Sequence, residues 1–547
     1  MECGITLSMA RPLLRRSPLL FLPLLLGFAC PSQAGAATPD GAQLYLQHCS
    51  LCHGAEGQGI PNVFPPLAAS DFLTKHRERS LRAPLEGLFG KIEVNGRTYE
   101  GAMPPVLLED AELAAIFAHI CRSWGNTAAP ASVEEIAAVR ARTKFPTLAA
   151  LKAAMVGGQL PAAPAGWELK IAAELSFSPV RLASHPDGES ILILSQQGNV
   201  WTWKPGDANV APLFDNAVYI DPKLGSQAVL GMTVDREGRL YLVGNQCNKS
   251  ATPVTNEVTL FRTEPWSKDK SWTVPKPWYR TTYPFGVGPY NHGVSHIAQG
   301  PDGLMYVTSG SRTDGGEPGT QPNYATTGED PATACLWRLD PKKENPEREI
   351  FAKGLRNTYG FCWDGEGHLI GTENGPDAHA AEELNVIEQG RHYGFPFQFA
   401  DWTKKAYPHT PEPPAGVVFT HPLRNVGPDA GAGSGGISTF DPHSCPSGIV
   451  YLEPSWPAPL GGTFLTARFG NLLKLEGGDV GYDVLQMQPD FATKTTVVKR
   501  LLAPLGRPID LLKLPGNRLI IAEYCRGTSL SAGLGTPGRL LMLETKR

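Results

Sequence analysis

From about residue 166 onward the chain repeats one unit: an apolar run, a tight polar turn, then a second apolar or β-branched run. The clearest copies carry the turns Pro186-Asp187-Gly188, Asp235 to Gly238, Pro301-Asp302-Gly303, Asp364 to Gly367 and Pro515-Gly516-Asn517. Each is followed by strand-forming residues such as Ile191-Leu192-Ile193-Leu194 or Leu240-Tyr241-Leu242-Val243. Gly461-Gly462 before Thr463-Phe464-Leu465 is a weaker copy, and further strands such as Leu336-Trp337-Arg338-Leu339 close some units. Six units at long, irregular spacing predict an all-β, six-bladed propeller over 166–547. The widest gap, from 367 to 461, predicts a large inserted loop.

Ahead of the propeller the apolar period becomes helical. Gly41 to His53, with Leu44, Tyr45 and Leu46, predicts a short amphipathic helix. Asp110 to Trp124, with Leu113, Ile116, Phe117 and Ile120 at helical spacing, predicts a second. With a loop-rich stretch between them, residues 40–128 form a small all-α domain. Residues 129–165 read as a linker, helical over Ala-rich Val133 to Met155 and broken by Gly157-Gly158 and the Pro161-to-Pro164 stretch. Residues 1–36 read as a removable signal peptide: Arg11, Arg15 and Arg16, then apolar Leu19 to Ala29, then Ala34-Gly35-Ala36. That apolar run is too short for a membrane span, which needs about 20 residues. Cys30 offers a lipid-anchor site, against which bulky Phe28 stands.

The candidate chemistry starts with Cys49-Ser50-Leu51-Cys52-His53. Cys-x-x-Cys-His lets two thiols bond to the vinyl groups of one haem while the His binds its iron. A zinc knuckle would want a second close Cys/His pair, and residues 54–120 hold only the isolated His76 and His119. No strand–helix pattern leads into Cys49, as a thioredoxin-like pair would require. Iron held by His53 needs a sixth ligand. Met103, in the loop Gly101-Ala102-Met103-Pro104, offers a thioether that favours the reduced metal.

This stretch resembles a class I cytochrome c through Cys49 to His53, Gly54, Pro65-Pro66-Leu67, Gly101 to Pro104 and Ser123-Trp124-Gly125-Asn126. The last group resembles cytochrome domains that accept electrons from bacterial alcohol and sugar dehydrogenases. The resemblance implies covalent haem c on Cys49 and Cys52, His53 and Met103 as iron ligands, and a carbonyl near Pro65 orienting His53.

In the propeller, Asn291-His292-Gly293, Gly354-Leu355-Arg356-Asn357, Glu373-Asn374-Gly375-Pro376, Glu382 to Asn385 and Gly390 to Gly394 stand at the joins between units. They resemble the soluble, pyrroloquinoline-quinone (PQQ)-dependent glucose/sorbosone dehydrogenases. The resemblance implies His292 as general base, Arg356 and Asn357 on the quinone, and Ca²⁺ on the carbonyls of Gly375 and Pro376. Gln227, Arg468 and Arg507 are implied as further cofactor contacts. Arginines suit the quinone's three carboxylates, a neutral His accepts an alcohol proton, and calcium takes oxygen ligands. There are departures from the family. Ile509 stands where a second arginine is usual, Asp377 to Ala381 lengthen the calcium segment, and Asn374 replaces a usual His or Gln. Gly315-Gly316 and the 431–436 run mark long loops.

Composition narrows the picture further. A formal charge of −4 without basic clusters argues against a nucleic-acid partner. Cys121, Cys247, Cys335, Cys362, Cys445 and Cys525 could pair as disulfides in the oxidising, periplasmic compartment that the leader predicts. The expectation is an exported quinoprotein that oxidises a sugar or other alcohol. It passes electrons through its haem to a downstream acceptor such as another cytochrome or an oxidase. The alternatives are a non-catalytic propeller that binds a glycan or protein and carries a cytochrome, and a calcium-dependent propeller hydrolase or lactonase.

Overall fold

The computed structural model describes residues 39–546 except 60–63, 104, 156–159, 208, 222, 226, 270, 288–290, 321, 327, 401–404, 432–437, 473–477 and 529–535. The stretch expected to be a signal peptide, Cys30 and the glycines at 432–436 lie outside the described residues.

The first domain packs helices α1 (Gly41–His48), α2 (Ser50–His53), α3 (Phe72–Lys75), α4 (Arg77–Glu86) and α5 (Asp110–Arg122). Asp40 caps α1 by accepting the amides of Ala42 at 3.0 Å and Gln43 at 3.2 Å. Glu109 and Glu112 form a capping box on α5. The two helices lie so close that a Cβ on Gly41 would stand 2.0 Å from the Ala115 carbonyl oxygen. Their apolar faces bury Tyr45, Leu113, Ile116 and Phe117 in one core. α6 (Val133–Arg140) joins the same core through Ile136 and Val139, so the first helix of the linker is packed against the helical domain. Buried Arg140 pairs with Asp110 at 2.6 Å and donates to the Leu108 carbonyl at 2.8 Å. α7 (Leu148–Met155) follows.

One element departs from the expected loop. Leu88–Val94 and Arg97–Met103 form an antiparallel hairpin, turning at Asn95-Gly96 with φ of 52° and 71°. Asn-Gly suits the left-handed turn that matches strand twist. Met103 ends a strand paired to Leu88 instead of hanging in a loop.

The rest is a ring of six sheets. Blades I to III are four-stranded and span 179–214, 227–284 and 294–353. Blade IV (358–386) has three strands, and blade V (446–502) gains the short parallel edge strand Arg424–Asn425. Blade VI joins Pro508–Leu514, Arg518–Glu523 and Arg539–Thr545 to Trp167–Glu174. The propeller's first strand thus completes its last blade and closes the ring. Innermost strands pack one against the next around the axis. The repeated turns join the first and second strands of the blades. Their aspartates accept local amides, as Asp235 does from Glu237 at 3.0 Å and Arg239 at 2.9 Å. The long insertion falls between blades IV and V, as the spacing predicted.

Among the described residues no helix is long and apolar enough to cross a membrane, and no disulfide forms. The cysteines expected to pair lie on separate elements: Cys335 on a strand of blade III, Cys362 on blade IV, Cys525 past a strand of blade VI.

Candidate active site and haem crevice

His53 ends α2, where burial lowers its pKa and so keeps the imidazole neutral, as a metal ligand must be. Its Nδ1 lies 2.9 Å from the Pro65 carbonyl, which fixes that nitrogen as the protonated one and turns Nε2 inward. His53 and Met103 line one cavity of about 470 Å³, walled by apolar side chains such as Leu67, Phe72, Leu73, Ile116 and Phe117. Cys49 lines it too. A nitrogen and a thioether on one dry crevice are the donor set of a low-spin haem iron, and the residues fit the group. The crevice is not made by the helical domain alone. Phe177, Gln197 and Trp201 of blade I and Tyr524 of blade VI complete its wall.

Those propeller residues lie on the face where innermost strands begin and second strands end. The propeller residues singled out in the sequence share that face. Gln227 opens the inner strand of blade II, His292 precedes that of blade III, Arg356 and Asn357 precede that of blade IV, and Arg507 precedes that of blade VI. Arg468 ends the second strand of blade V, and Gly375-Pro376 follow that of blade IV. Repetition of a blade therefore turns residues far apart in sequence into neighbours around one axis.

The half-buried His292 imidazole places Nδ1 at 3.0 Å from Ser311 Oγ, and that hydroxyl donates its one proton to the Thr313 carbonyl at 2.7 Å. Ser311 must then accept from Nδ1–H, which leaves the basic lone pair on Nε2. Burial, and next the charge of Arg356, hold the imidazole well below its ordinary value of 6.5.

Arg507 is fully buried between the rings of Phe469 and Tyr482, at 5.0 and 4.9 Å. Its Nη1 donates to the Gly470 and Asn471 carbonyls at 3.1 and 3.0 Å. Among the described residues no carboxylate pairs with it, and its Nε has no partner. Asn291 Oδ1 and His443 Nε2, on the same face, are likewise buried without partners. Orphaned polar atoms are costly, and three of them mark this face as one whose polar groups the described residues leave incompletely satisfied. The Asn357 backbone amide donates to Glu373 at 2.5 Å while its side-chain amide makes no bond among the described residues, and Gln227 Nε2 donates to the Gln197 carbonyl at 3.3 Å. These residues fit a small anionic group.

Two expected contacts are otherwise engaged. Arg468, fully buried, makes a bidentate pair with Asp483, both bonds at 2.8 Å, and reaches Asp441 at 3.3 Å. Arg356 pairs with Asp314 and donates to the Asp314 and Asn374 carbonyls at 3.0 Å each. Gly375 gives its amide to Glu382 at 2.7 Å. Among the described residues no group of three or more His, Cys, Asp or Glu is arranged to hold a metal. A cation at this segment would rest on the carbonyls of Gly375 and Pro376. Ile509 is buried, and no second cation stands in its place.

Sequence reasoning missed Ser311, Asp314 and Tyr407, whose hydroxyl bonds Asp314. Nothing in their local pattern marks them. Blade IV also buries Glu373, Glu382 and Glu383, pushed by burial up to about 8, 8 and 7.

An electron-carrier crevice thus abuts a propeller with a polar axial face. The model of the cytochrome c family matches residues 39–124, and that of the glucose/sorbosone dehydrogenase family matches 177–415. Cytochrome c-552 of Thermus thermophilus is 41% identical over 133 residues, spanning 22% of this chain and 86% of its own. The cytochrome c subunit of the quinone alcohol dehydrogenase of Gluconobacter oxydans is 27% identical over 169 residues, 30% of this chain and 29% of that subunit. Among solved structures, the PQQ-bound aldose sugar dehydrogenase of Streptomyces coelicolor has 20% identity and a TM-score of 0.48, covering 70% of this chain and 100% of its own. The apo soluble aldose sugar dehydrogenase of Escherichia coli has 17% identity and a TM-score of 0.46, covering 70% and 100%. The chain belongs to the cytochrome c family through its first domain and carries a glucose/sorbosone dehydrogenase domain in its propeller.

Proposed function

We propose that the protein is an exported quinoprotein dehydrogenase that oxidises a sugar or related alcohol on the propeller axis and delivers the electrons to its own haem c. The observation that carries this reading is Arg507: a buried cation without a carboxylate partner among the described residues, on the same face as an imidazole whose basic nitrogen is Nε2. Pyrroloquinoline quinone, when bound, supplies the acceptor for a hydride. The chain's own residues do the rest. Arg507 neutralises a carboxylate of the cofactor, while Asn357 and Gln227 offer amides that orient it. His292 takes the substrate hydroxyl proton on Nε2, and Ser311 holds the ring for that transfer. Arg356, already paired with Asp314, contributes its charge by keeping His292 neutral and by fixing the Asn374 carbonyl. Gly375 and Pro376 supply carbonyls for Ca²⁺.

Fusion makes the electron acceptor a permanent neighbour, so delivery to the haem does not wait on an encounter. A second one-electron carrier must then take electrons from the haem.

Apo-propeller chain titrated with the quinone and Ca²⁺ in a calorimeter should bind it, and an added aldose should then reduce the haem. Absence of binding at saturating quinone and calcium overturns the oxidoreductase reading. It would favour instead a propeller that recognises a ligand without chemistry, a role that the self-neutralised Arg356 and Arg468 would suit.

A further inference from the structure

The haem crevice and the axial face meet at blade VI. Tyr524 lines the haem crevice, its amide donates to the Arg507 carbonyl at 2.7 Å, and its ring packs edge-on to Phe469 at 5.4 Å. The other contact of Phe469 is the Arg507 guanidinium, 5.0 Å from its centroid. Both rings are buried. Unlike Arg356 and Arg468, Arg507 has no carboxylate partner among the described residues. A continuous packed path therefore runs from the buried cation of the axial face to the wall of the haem crevice, one hydrogen bond and one ring contact long. Gln227 and Gln197 make a parallel link on blade I, but through an exposed side chain and a single 3.3 Å bond.

We propose that Tyr524, with Phe469, is the bridge by which electrons pass from the axial site to the haem. This rests on the reading that a quinone occupies the axial site. Tunnelling falls steeply with every gap in the medium, and close packing of aromatic rings removes such gaps. Per substrate two electrons and two protons leave the reduced cofactor. The protons go to water, and each electron converts one ferric iron to ferrous. The second follows after an external one-electron acceptor, ferricyanide in the laboratory, has reoxidised the iron. Tyr524 keeps its own electrons and proton throughout.

The test uses the full-length, haem-loaded chain and chemically reduced pyrroloquinoline quinone with Ca²⁺, mixed without oxygen while ferrous haem is followed optically. Tyr524→Leu should slow haem reduction at saturating quinone at least tenfold, with Tyr524→Met as the replacement should the leucine variant not fold. Tyr524→Phe should keep the wild-type rate. In every variant the quinone affinity by calorimetry and the haem reduction potential should stay at wild-type values, which a merely structural role for Tyr524 would disturb. A wild-type rate in Tyr524→Leu, or a slow Tyr524→Phe, overturns the bridge. Quinone that binds the wild type yet never reduces its haem overturns it as well. Absence of quinone binding instead sinks the underlying reading, and calorimetry tells the two failures apart.

Discussion

At the scale of single residues, the site works through protons and lone pairs whose positions its neighbours dictate. Ser311 has one hydroxyl proton and spends it on Thr313, so Nδ1 of His292 carries the ring proton and Nε2 is the nitrogen that would act as base in the proposed reaction. Ser311→Ala should lower kcat about tenfold or more with little change in KM, because proton abstraction is lost and binding is kept. Since burial and the charge of Arg356 depress the imidazole below 6.5, the base stays neutral across the physiological range. The acid limb of kcat/KM should therefore fall below pH 6.5, and a limb at or above that value would contradict the depressed pKa. On the haem side, Met103→Ala should lower the reduction potential and remove the sulfur–iron charge-transfer band. An unchanged band would assign the sixth ligand elsewhere. That Cys49, His53 and Met103 would share one crevice was legible because Cys-x-x-Cys-His is a fixed local spacing. Ser311, Asp314 and Tyr407 were not, because an isolated polar residue acquires its role only from what the fold sets beside it. The pairing of Arg468 with Asp483 lay hidden for the same reason: register across two strands is invisible in one of them.

At the scale of elements, the blades were legible through their turns. Asp187, Asp235, Asp302 and Asp364 each accept local amides and so write the turn into the sequence. The hairpin of the first domain lies where the absence of a helical period predicts only loop, although Asn95-Gly96 marks its turn. Blade IV hides a titration. Glu373, Glu382 and Glu383 ordinarily ionise near 4.5, yet burial raises them to about 8, 8 and 7. The folded state thus holds protons that the unfolded state has released, and stability falls as pH rises from about 4.5 toward 8. Denaturation midpoints at pH 5 and pH 8 should show that slope. Glu383→Gln should flatten it, because a turned Asn385 amide, whose Oδ1 is now unpartnered, can receive the new amide group. In blade VI, the closing strand anchors Trp167, buried and stacked on Trp456 at 6.1 Å with its Nε1 bonded to the Ala458 carbonyl at 3.1 Å. Trp167→Ala should cost about 3–5 kcal/mol of propeller stability, seen as a lower thermal midpoint. The haem spectrum should be unaffected.

At the scale of the whole molecule, the two domains share a wall. Alternating composition told that a helical domain precedes a propeller, but it could not tell that blades I and VI finish the haem crevice. That follows from which loops of a ring happen to face a neighbour. Closure of this ring binds Trp167–Glu174 to Arg539–Thr545, the beginning of the propeller to the end of the chain. A variant truncated after Gly538 keeps the Cys-x-x-Cys-His motif and Met103, yet it lacks the strand that seats blade VI, and with it the firm placement of Tyr524. Such a variant should bind haem covalently and keep its low-spin spectrum, measured optically, while haem reduction by reduced quinone slows as in Tyr524→Leu. One strand pairing at the rim of the ring is thus what keeps the far wall of the crevice in register with the side chains of His53 and Met103.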